Sequence, residues 1–266
     1  MVAVVVAVVV AVGVVVVVVV AVVVGDIKVM YKIAERFKSI QGEGVYAGTP
    51  MAFIRFVGCS VGKKICQHCD TDFEKVGSSW RCGGEFTAEQ LRLWSEPYRH
   101  VCLTGGEPLD QNLSPLLEEF YGLPRYSMPM LHVETSGTKH LGSSEALANV
   151  SDRNRQRLWV CVSPKPGFIE DVVLVADEIK VIVPGLGTDE SLPHLGAHYL
   201  YPRDTFRWPT LEDALRWAAA GKTVFLQPRN GKYDVDHVNL RYVQDVIAEH
   251  PELRLSVQMH KVLKVQ

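Results

Sequence analysis

Three cysteines carry the densest chemistry in this chain. Cys59, Cys66 and Cys69 stand in C-S-V-G-K-K-I-C-Q-H-C-D-T, a C-x6-C-x2-C spacing directly after an apolar run at Met51–Val57. Three clustered thiolates can hold an iron–sulfur cluster or a zinc ion. They cannot all be consumed by one intrachain disulfide. A structural zinc takes four ligands, usually as two separated pairs, so zinc here would recruit His68 beside the three cysteines. A 4Fe–4S cluster has four irons, and three cysteines leave one iron open to bind a substrate or cofactor. The triplet is therefore read first as a cluster site with an open corner. Zinc and plain unligated thiols are the alternatives.

Other candidate groups follow in chain order. Gln41–Gly44 reads Q-G-E-G, in which two glycines around Glu43 let the backbone turn tightly and come close to a ligand. Arg55 lies inside the apolar run, where its charge needs a partner: an anionic ligand, or an internal salt bridge. Thr71, just after the last clustered cysteine, can give a hard oxygen to magnesium or cap a turn. T-G-G-E-P (Thr104–Pro108) is a glycine-rich strand end whose open backbone suits an amino-acid head group, with Glu107 for an ammonium. E-T-S-G-T offers the Thr135 and Ser136 hydroxyls to a ribose, and S-P-K-P offers Ser163 and Lys165 to a hydroxyl or carboxylate. His260 follows the last apolar run. Each motif taken singly also reads as ordinary loop chemistry.

The elements that must position these groups alternate. Short apolar runs at Met51–Val57, His100–Leu103, Met130–Val133, Leu158–Val162, Glu178–Val183, Thr223–Leu226 and Arg254–Met259 read as strands. Between them lie helical patterns at Thr87–Glu96, Leu113–Tyr121, Ser143–Val150, Thr210–Ala220 and Val235–His250, two of them opened by a threonine cap. Alternation of this kind implies a parallel sheet, and ligands of such sheets sit at the carboxyl ends of the strands. Nearly every apolar run is followed at once by Gly, Pro, Ser, Thr or a charged residue, so the candidate groups share one rim. The fold class is α/β: an incomplete parallel (β/α) barrel of about six strands, with an irregular connection at Pro184–Pro209.

The 266 residues carry a formal net charge of −2, which gives no basic excess for a nucleic-acid partner. Of the six cysteines, Cys102 and Cys161 read as small buried hydrophobes, and Cys82 is a reserve ligand. That usage fits a reducing cytoplasm better than a disulfide framework. Val2–Val24 contains only valine, alanine and Gly13. By length it could span a bilayer, but it has no basic n-region, no cleavage signature and no aromatic anchors. Residues 1–25 are therefore set outside the fold as low-complexity sequence, and 26–266 are expected to form one domain.

The motifs taken together resemble the radical S-adenosylmethionine enzymes. The finer pattern is similar to the 7-carboxy-7-deazaguanine synthase family of queuosine and deazapurine biosynthesis. The matching stretches are Phe37–Gly44, Gly48–Cys59, Cys69–Thr71, Thr104–Pro108, Glu134–Thr138, Ser163–Lys165, Glu178–Lys180, Leu226–Pro228 and Ser256–Lys261. The resemblance implies a radical-enzyme barrel, a homodimer, and a lyase that converts 6-carboxy-5,6,7,8-tetrahydropterin to 7-carboxy-7-deazaguanine with loss of ammonia. It implies a 4Fe–4S cluster, S-adenosylmethionine and magnesium as cofactors, and an electron donor such as flavodoxin or ferredoxin. By the same resemblance Cys59, Cys66 and Cys69 hold the cluster and Thr71 the magnesium. Ile40, Gln41, Gly42, Glu43, Arg55, Thr104 and His260 bind substrate. Gly105, Gly106, Glu107, Glu134, Thr135, Ser136, Ser163, Pro164, Lys165, Gln227 and Pro228 line the S-adenosylmethionine site. No side chain is assigned as catalytic, because the cofactors carry the radical chemistry. The first cysteine gap departs from the usual C-x3-C-x2-C and reads as an inserted loop bearing Lys63 and Lys64. An activating enzyme for a glycyl-radical protein and a non-enzymatic zinc module are the rival readings.

Overall fold

The computed structural model of the chain describes residues 3–11, 14–22, 28–66, 69, 71, 83–140, 152–183, 207–231 and 234–264. It divides into two compact units, Met1–Met30 and Tyr31–Gln266. In the first, β1 (Ala3–Ala11) and β2 (Val14–Val22) pair antiparallel, with Ala3 opposite Val22 and Ala11 opposite Val14. Valine's branched β-carbon favours extended backbone. Among the described residues no helix is long and apolar enough to cross a membrane.

The second unit is built on one sheet. Its strands are β3 (Met30–Ile40), β4 (Pro50–Phe56), β5 (Gly84–Thr87), β6 (His100–Gly105), β7 (Met130–Thr135), β8 (Leu158–Val162), β9 (Glu178–Val183), β10 (Thr223–Pro228) and β11 (Arg254–Leu255). They lie in the order β11-β10-β9-β8-β7-β6-β4-β3-β5, a row with two ends rather than a closed ring. From β4 through β6 to β11 every neighbouring pair is parallel, while β3 runs antiparallel to β4. The helices are α1 (Ala88–Ser95), α2 (Ser114–Tyr121), α3 (Asp152–Arg155), α4 (Glu170–Leu174), α5 (Leu211–Ala219), α6 (His237–Glu249) and α7 (Met259–Leu263).

Caps set the helix starts where the sequence places them. Thr87 and Gln90 form a reciprocal capping box on α1, and Thr210 and Asp213 form another on α5. Asp236 caps α6 through the Asn239 amide.

The two faces of the sheet are chemically opposite, because alternate residues of a strand point to opposite sides. One face is aliphatic throughout: Ile54, Val101, Leu103, Leu131, Val133, Val160, Val162, Ile179, Val181, Val224 and Leu226 are all buried in the main core with Leu116, Phe120, Ala214, Trp217 and Val243 of the helices. The other face carries Phe53 and Arg55 on β4, Cys102 and Thr104 on β6, His132 and Glu134 on β7, Trp159 and Cys161 on β8, and Glu178 and Lys180 on β9. The register sets them side by side: Phe53 by Cys102, Cys102 by His132, Glu134 by Cys161, Cys161 by Glu178. Here the apolar cluster is small, consisting of Met51, Phe53 and Cys102 with Phe37 and Tyr46 packed on it.

The open parallel barrel expected from the sequence is the fold observed, with more strands than the roughly six expected. β3 escaped recognition because its alternation breaks at a register shift between Ile33 and Glu35 and because Lys32, Glu35, Arg36 and Lys38 interrupt it. The run Arg254–Met259 is strand only to Leu255, and His260 belongs to the short helix α7. The expected Ser143–Val150 helix and most of the Pro184–Pro209 connection lie outside the described residues.

Candidate active site

The polar face of the sheet becomes a site where the loop between β3 and β4 folds back across it. Gly48 N–H bonds to the Gln41 carbonyl at 2.8 Å, and Gln41 N–H to the Thr49 carbonyl at 2.8 Å, closing the loop on itself. Met259 N–H then bonds to the Gly42 carbonyl at 2.9 Å, which ties the loop to the start of α7. A side chain at Gly42 would collide with the His260 ring, so glycine is what lets His260 and the loop share this corner.

The loop delivers Glu43 into a buried charged network. Lys180 Nζ stands 2.6 Å from Glu43 and 3.7 Å from Glu134. Gln258 and Gln227 donate to Glu43 at 2.8 and 3.2 Å. Gln41 and Thr104 donate to Glu134 at 3.0 and 2.9 Å. Ser256 donates to Gln227 at 2.8 Å. Glu178 accepts from Val45 N–H at 2.8 Å and from the Cys161 thiol at 3.3 Å. The network thus unites the expected residues Gln41, Gly42, Glu43, Thr104, Glu134, Gln227 and His260. Lys180, Glu178, Ser256 and Gln258 join them without having been assigned a role from sequence. Ile40 is the last residue of β3, and the buried Pro228 ends β10 beside Gln227.

Burial alone would raise the Glu43 carboxyl. The Lys180 ammonium, hydrogen bonds from Lys180 and Gln258, and nearby His260 outweigh it and hold the group down at about 2. Burial alone would neutralise Lys180, but Cys161 and the carboxylates Glu43, Glu134 and Glu178 keep it charged well above its usual range. Both signs of charge therefore persist in a place shielded from water.

The three-cysteine loop sits at the adjoining end of β4. Cys59, Cys66 and Cys69 are free and half-buried, with Cys66 N–H bonded to the Gly62 carbonyl and Cys69 N–H to the Cys66 carbonyl. The T-G-G-E-P turn is pressed against the start of this loop. Gly106 N–H bonds to Phe56 O at 3.2 Å and Glu107 N–H to Gly58 O at 3.0 Å; a Cβ at Gly106 would strike the Gly58 carbonyl. Gly105 and Gly106 thus have a packing reason to be glycine. Burial raises the Cys59 and Cys66 thiols, with Lys165 pulling Cys66 back. Thiols raised in this way ionise when a metal takes the proton's place.

Among the described residues no three His, Cys, Asp or Glu side chains converge to hold a single metal ion. A 4Fe–4S cluster spreads its thiolates over separate irons and does not require such convergence. Three free cysteines in one loop therefore fit the cluster as donors. His68, needed for the zinc alternative, and Cys82 lie outside the described residues.

Two expectations change. Glu107, expected to meet a ligand ammonium, is fully buried and receives the Leu109 and Ser136 amides at 3.0 and 2.8 Å, Thr135 Oγ1 at 2.7 Å, and the Ser136 hydroxyl. With donors on both oxygens it is a brace between the ends of β6 and β7. Arg55 has an internal partner: its Nε donates to Glu35 on β3 at 2.7 Å, and Nη1 donates to Thr71 Oγ1 at 3.2 Å. Its charge does not by itself demand a ligand. The E-T-S and S-P-K loops are pinned together, Ser163 N–H to Thr135 O at 2.8 Å and Lys165 N–H to Ser136 O at 3.1 Å, around buried Pro164. Lys165 Nζ turns back onto the Ser163 carbonyl and hydroxyl at 2.8 and 2.7 Å.

No family model matches the chain. A 7-carboxy-7-deazaguanine synthase of Burkholderia multivorans is 30% identical over 255 residues, covering 88% of this chain and 99% of that protein. One of Bacteroides thetaiotaomicron is 30% identical over 238 residues, covering 90% and 100%. The crystal structure of QueE from Escherichia coli superposes with a TM-score of 0.56 at 25% identity, covering 87% of this chain and 95% of that one.

Beneath the network, buried His132 bonds to His100 ring to ring at 2.9 Å, and burial, then the neighbouring imidazole, pushes it down to about 4 against the pull of Glu134. Between about pH 6.5 and 4 the unfolded chain therefore binds a proton at this residue that the folded chain refuses, so stability rises with pH in that window. Acidification across it should remove about 3 kcal/mol. Glu43 adds a second loss as pH falls from its unfolded range toward about 2. Urea midpoints measured from pH 7.5 to 4 should fall, and His132→Gln should flatten the slope. An unchanged slope in that variant would remove His132 from the account.

Proposed function

This chain belongs to the 7-carboxy-7-deazaguanine synthase family, and we propose that it converts 6-carboxy-5,6,7,8-tetrahydropterin to 7-carboxy-7-deazaguanine with loss of ammonia, as a radical S-adenosylmethionine lyase of queuosine biosynthesis. The observation that carries the reading is one strand rim holding both a loop of three free thiols and a buried charged network that suits a polar heterocycle. Cys59, Cys66 and Cys69 are the cluster ligands, and the Thr71 hydroxyl is the protein's oxygen for magnesium. The E-T-S and S-P-K loops with Gly105, Gly106 and Gln227 line the S-adenosylmethionine site. When bound, these cofactors supply hydrogen-atom abstraction at the substrate C6 and electrostatic help for the ring contraction.

The chain's own residues bind and orient. Lys180 keeps Glu43 ionised and stands beside Glu134, so the oxygens of both side chains can accept N–H groups of the pterin ring. The amides of Gln41, Gln227 and Gln258 can shift between carboxylate and ring. His260 closes the corner against Gly42. Arg55 faces the substrate carboxylate with the part of its fork not spent on Glu35. A homodimer, a low-potential flavodoxin or ferredoxin as electron donor, and a cytoplasmic location complete the proposal; the free cysteines suit a reducing compartment.

The decisive assay is anaerobic turnover of the carboxypterin with S-adenosylmethionine, dithionite and magnesium, on protein whose iron and sulfide have been quantified. Cys66→Ala should lose both iron and turnover, while Cys82→Ala keeps both; the reverse pattern would refute the ligand assignment. Stoichiometric zinc without sulfide would sink the enzyme reading.

A chain beginning at Asp26 should stay active, since every motif lies beyond residues 1–25. Loss of turnover on that truncation would bring the valine tract into the functional protein.

Arg55→Lys keeps a charge opposite Glu35 but loses the fork. We expect kcat/KM for the pterin to fall by about 1.5–3 kcal/mol in transition-state terms, roughly ten- to a hundredfold. Substrate-independent cleavage of S-adenosylmethionine should persist. Normal pterin kinetics would make Arg55 purely a structural ion pair.

A further inference from the structure

The loop that brings Gln41 and Glu43 to the site is tied outward by Met259, Ser256 and Glu178 and closed on itself by Gln41, Gly48 and Thr49, and its return leg is largely exposed. Val45, Ala47 and Gly48 are exposed, and among residues 45–48 only Tyr46 turns inward. Its ring lies 4.7 Å from His132, 5.0 Å from Trp159 and 5.4 Å from His100, centroid to centroid, with the first two contacts edge-to-face. That is the favoured geometry for aromatic pairs. The cup is stiff, because His100 and His132 are locked to each other by their 2.9 Å hydrogen bond and stand two residues apart on the same face of adjacent paired strands. Tyr46, His132 and Trp159 also line one small cavity of about 10 Å³ with Gln41, Glu43 and Glu134. The cup is therefore the floor directly beneath the charged network.

We propose that Tyr46 is a positioning residue: its ring, seated between His100, His132 and Trp159, fixes the loop in the one placement that presents Gln41 and Glu43 to the substrate. This rests on the functional reading above. Tyr46 touches no reacting atom. It acts through Glu43, whose three hydrogen-bond donors come from β9, β10 and the segment after β11 and cannot follow a loop that wanders. The ring makes the contacts, and the hydroxyl is not needed for them.

The test compares Tyr46→Phe and Tyr46→Ala in the full chain by two readouts. Amide hydrogen exchange across residues 41–49 needs no cofactor. It should be unchanged in Tyr46→Phe and accelerated about tenfold or more in Tyr46→Ala, the scale of one or two lost ring contacts. Exchange in β6, β7 and β8 should stay as in the parent. On the reconstituted enzyme Tyr46→Ala should raise KM for the carboxypterin about tenfold and release more 5′-deoxyadenosine per product formed, with Tyr46→Phe restoring both. Unchanged loop exchange in Tyr46→Ala overturns the proposal. So does equal loss in the phenylalanine variant, or faster exchange spread through β6–β8. If the parent enzyme leaves the carboxypterin untouched while exchange behaves as stated, the functional reading falls and the anchoring of the loop by Tyr46 stands.

Discussion

The Lys180 ammonium is the interaction on which the functional rim depends. It is almost fully buried, on a strand whose one other charged residue is Glu178, with Glu43 from the β3–β4 loop and Glu134 from β7 as partners. A buried ion pair is weak support for stability, because desolvation offsets much of the attraction. Its effect here is on arrangement. Taking away the cation would leave carboxylates uncompensated in a dry place, which costs several kcal/mol or forces them to take up protons. Lys180 thereby joins two segments far apart in sequence and keeps Glu43 ionised. The amides of Gln41, Gln227 and Gln258 fill the remaining lone pairs, so the network is satisfied rather than frustrated.

Around this centre the rim is set before any ligand arrives. Glu107 braces the end of β6 to that of β7, and the E-T-S and S-P-K loops share backbone hydrogen bonds. The glycine turn after β6 is packed onto the start of the cysteine loop. Loops fixed by the chain's own bonds do not have to be ordered at the expense of binding free energy.

Much of this was legible from residue types. The cysteine spacing marked the loop of three free thiols, and polar residues at the ends of apolar runs marked the rim. The helix caps stood where Thr87 and Thr210 placed them. What sequence reasoning passed over lay inside strands. Lys180 and Glu178 alternate with Ile179 and Val181, and His132 and Glu134 alternate with Leu131 and Val133. A parallel strand covered on both faces ordinarily reads as continuously apolar, so charges two apart were the available sign of an inward polar face. Glu107 looked like a ligand group because burial cannot be seen in a motif. The internal partner of Arg55 could not be named because Glu35 lies on a strand whose pattern a register shift had broken.

The opposition of the two sheet faces bears on how such a chain can change length. One residue inserted or deleted within β7 or β9 would turn Glu134 or Lys180 into the aliphatic layer beneath the helices and bring leucine or valine onto the rim. Such a change would damage folding and chemistry together. Length variation is therefore confined to the connections, and the widened first cysteine gap falls there, in a turn whose Lys63 and Lys64 are exposed. The sheet register acts as a ruler that insertions must leave untouched, while the loops on the rim are free to lengthen.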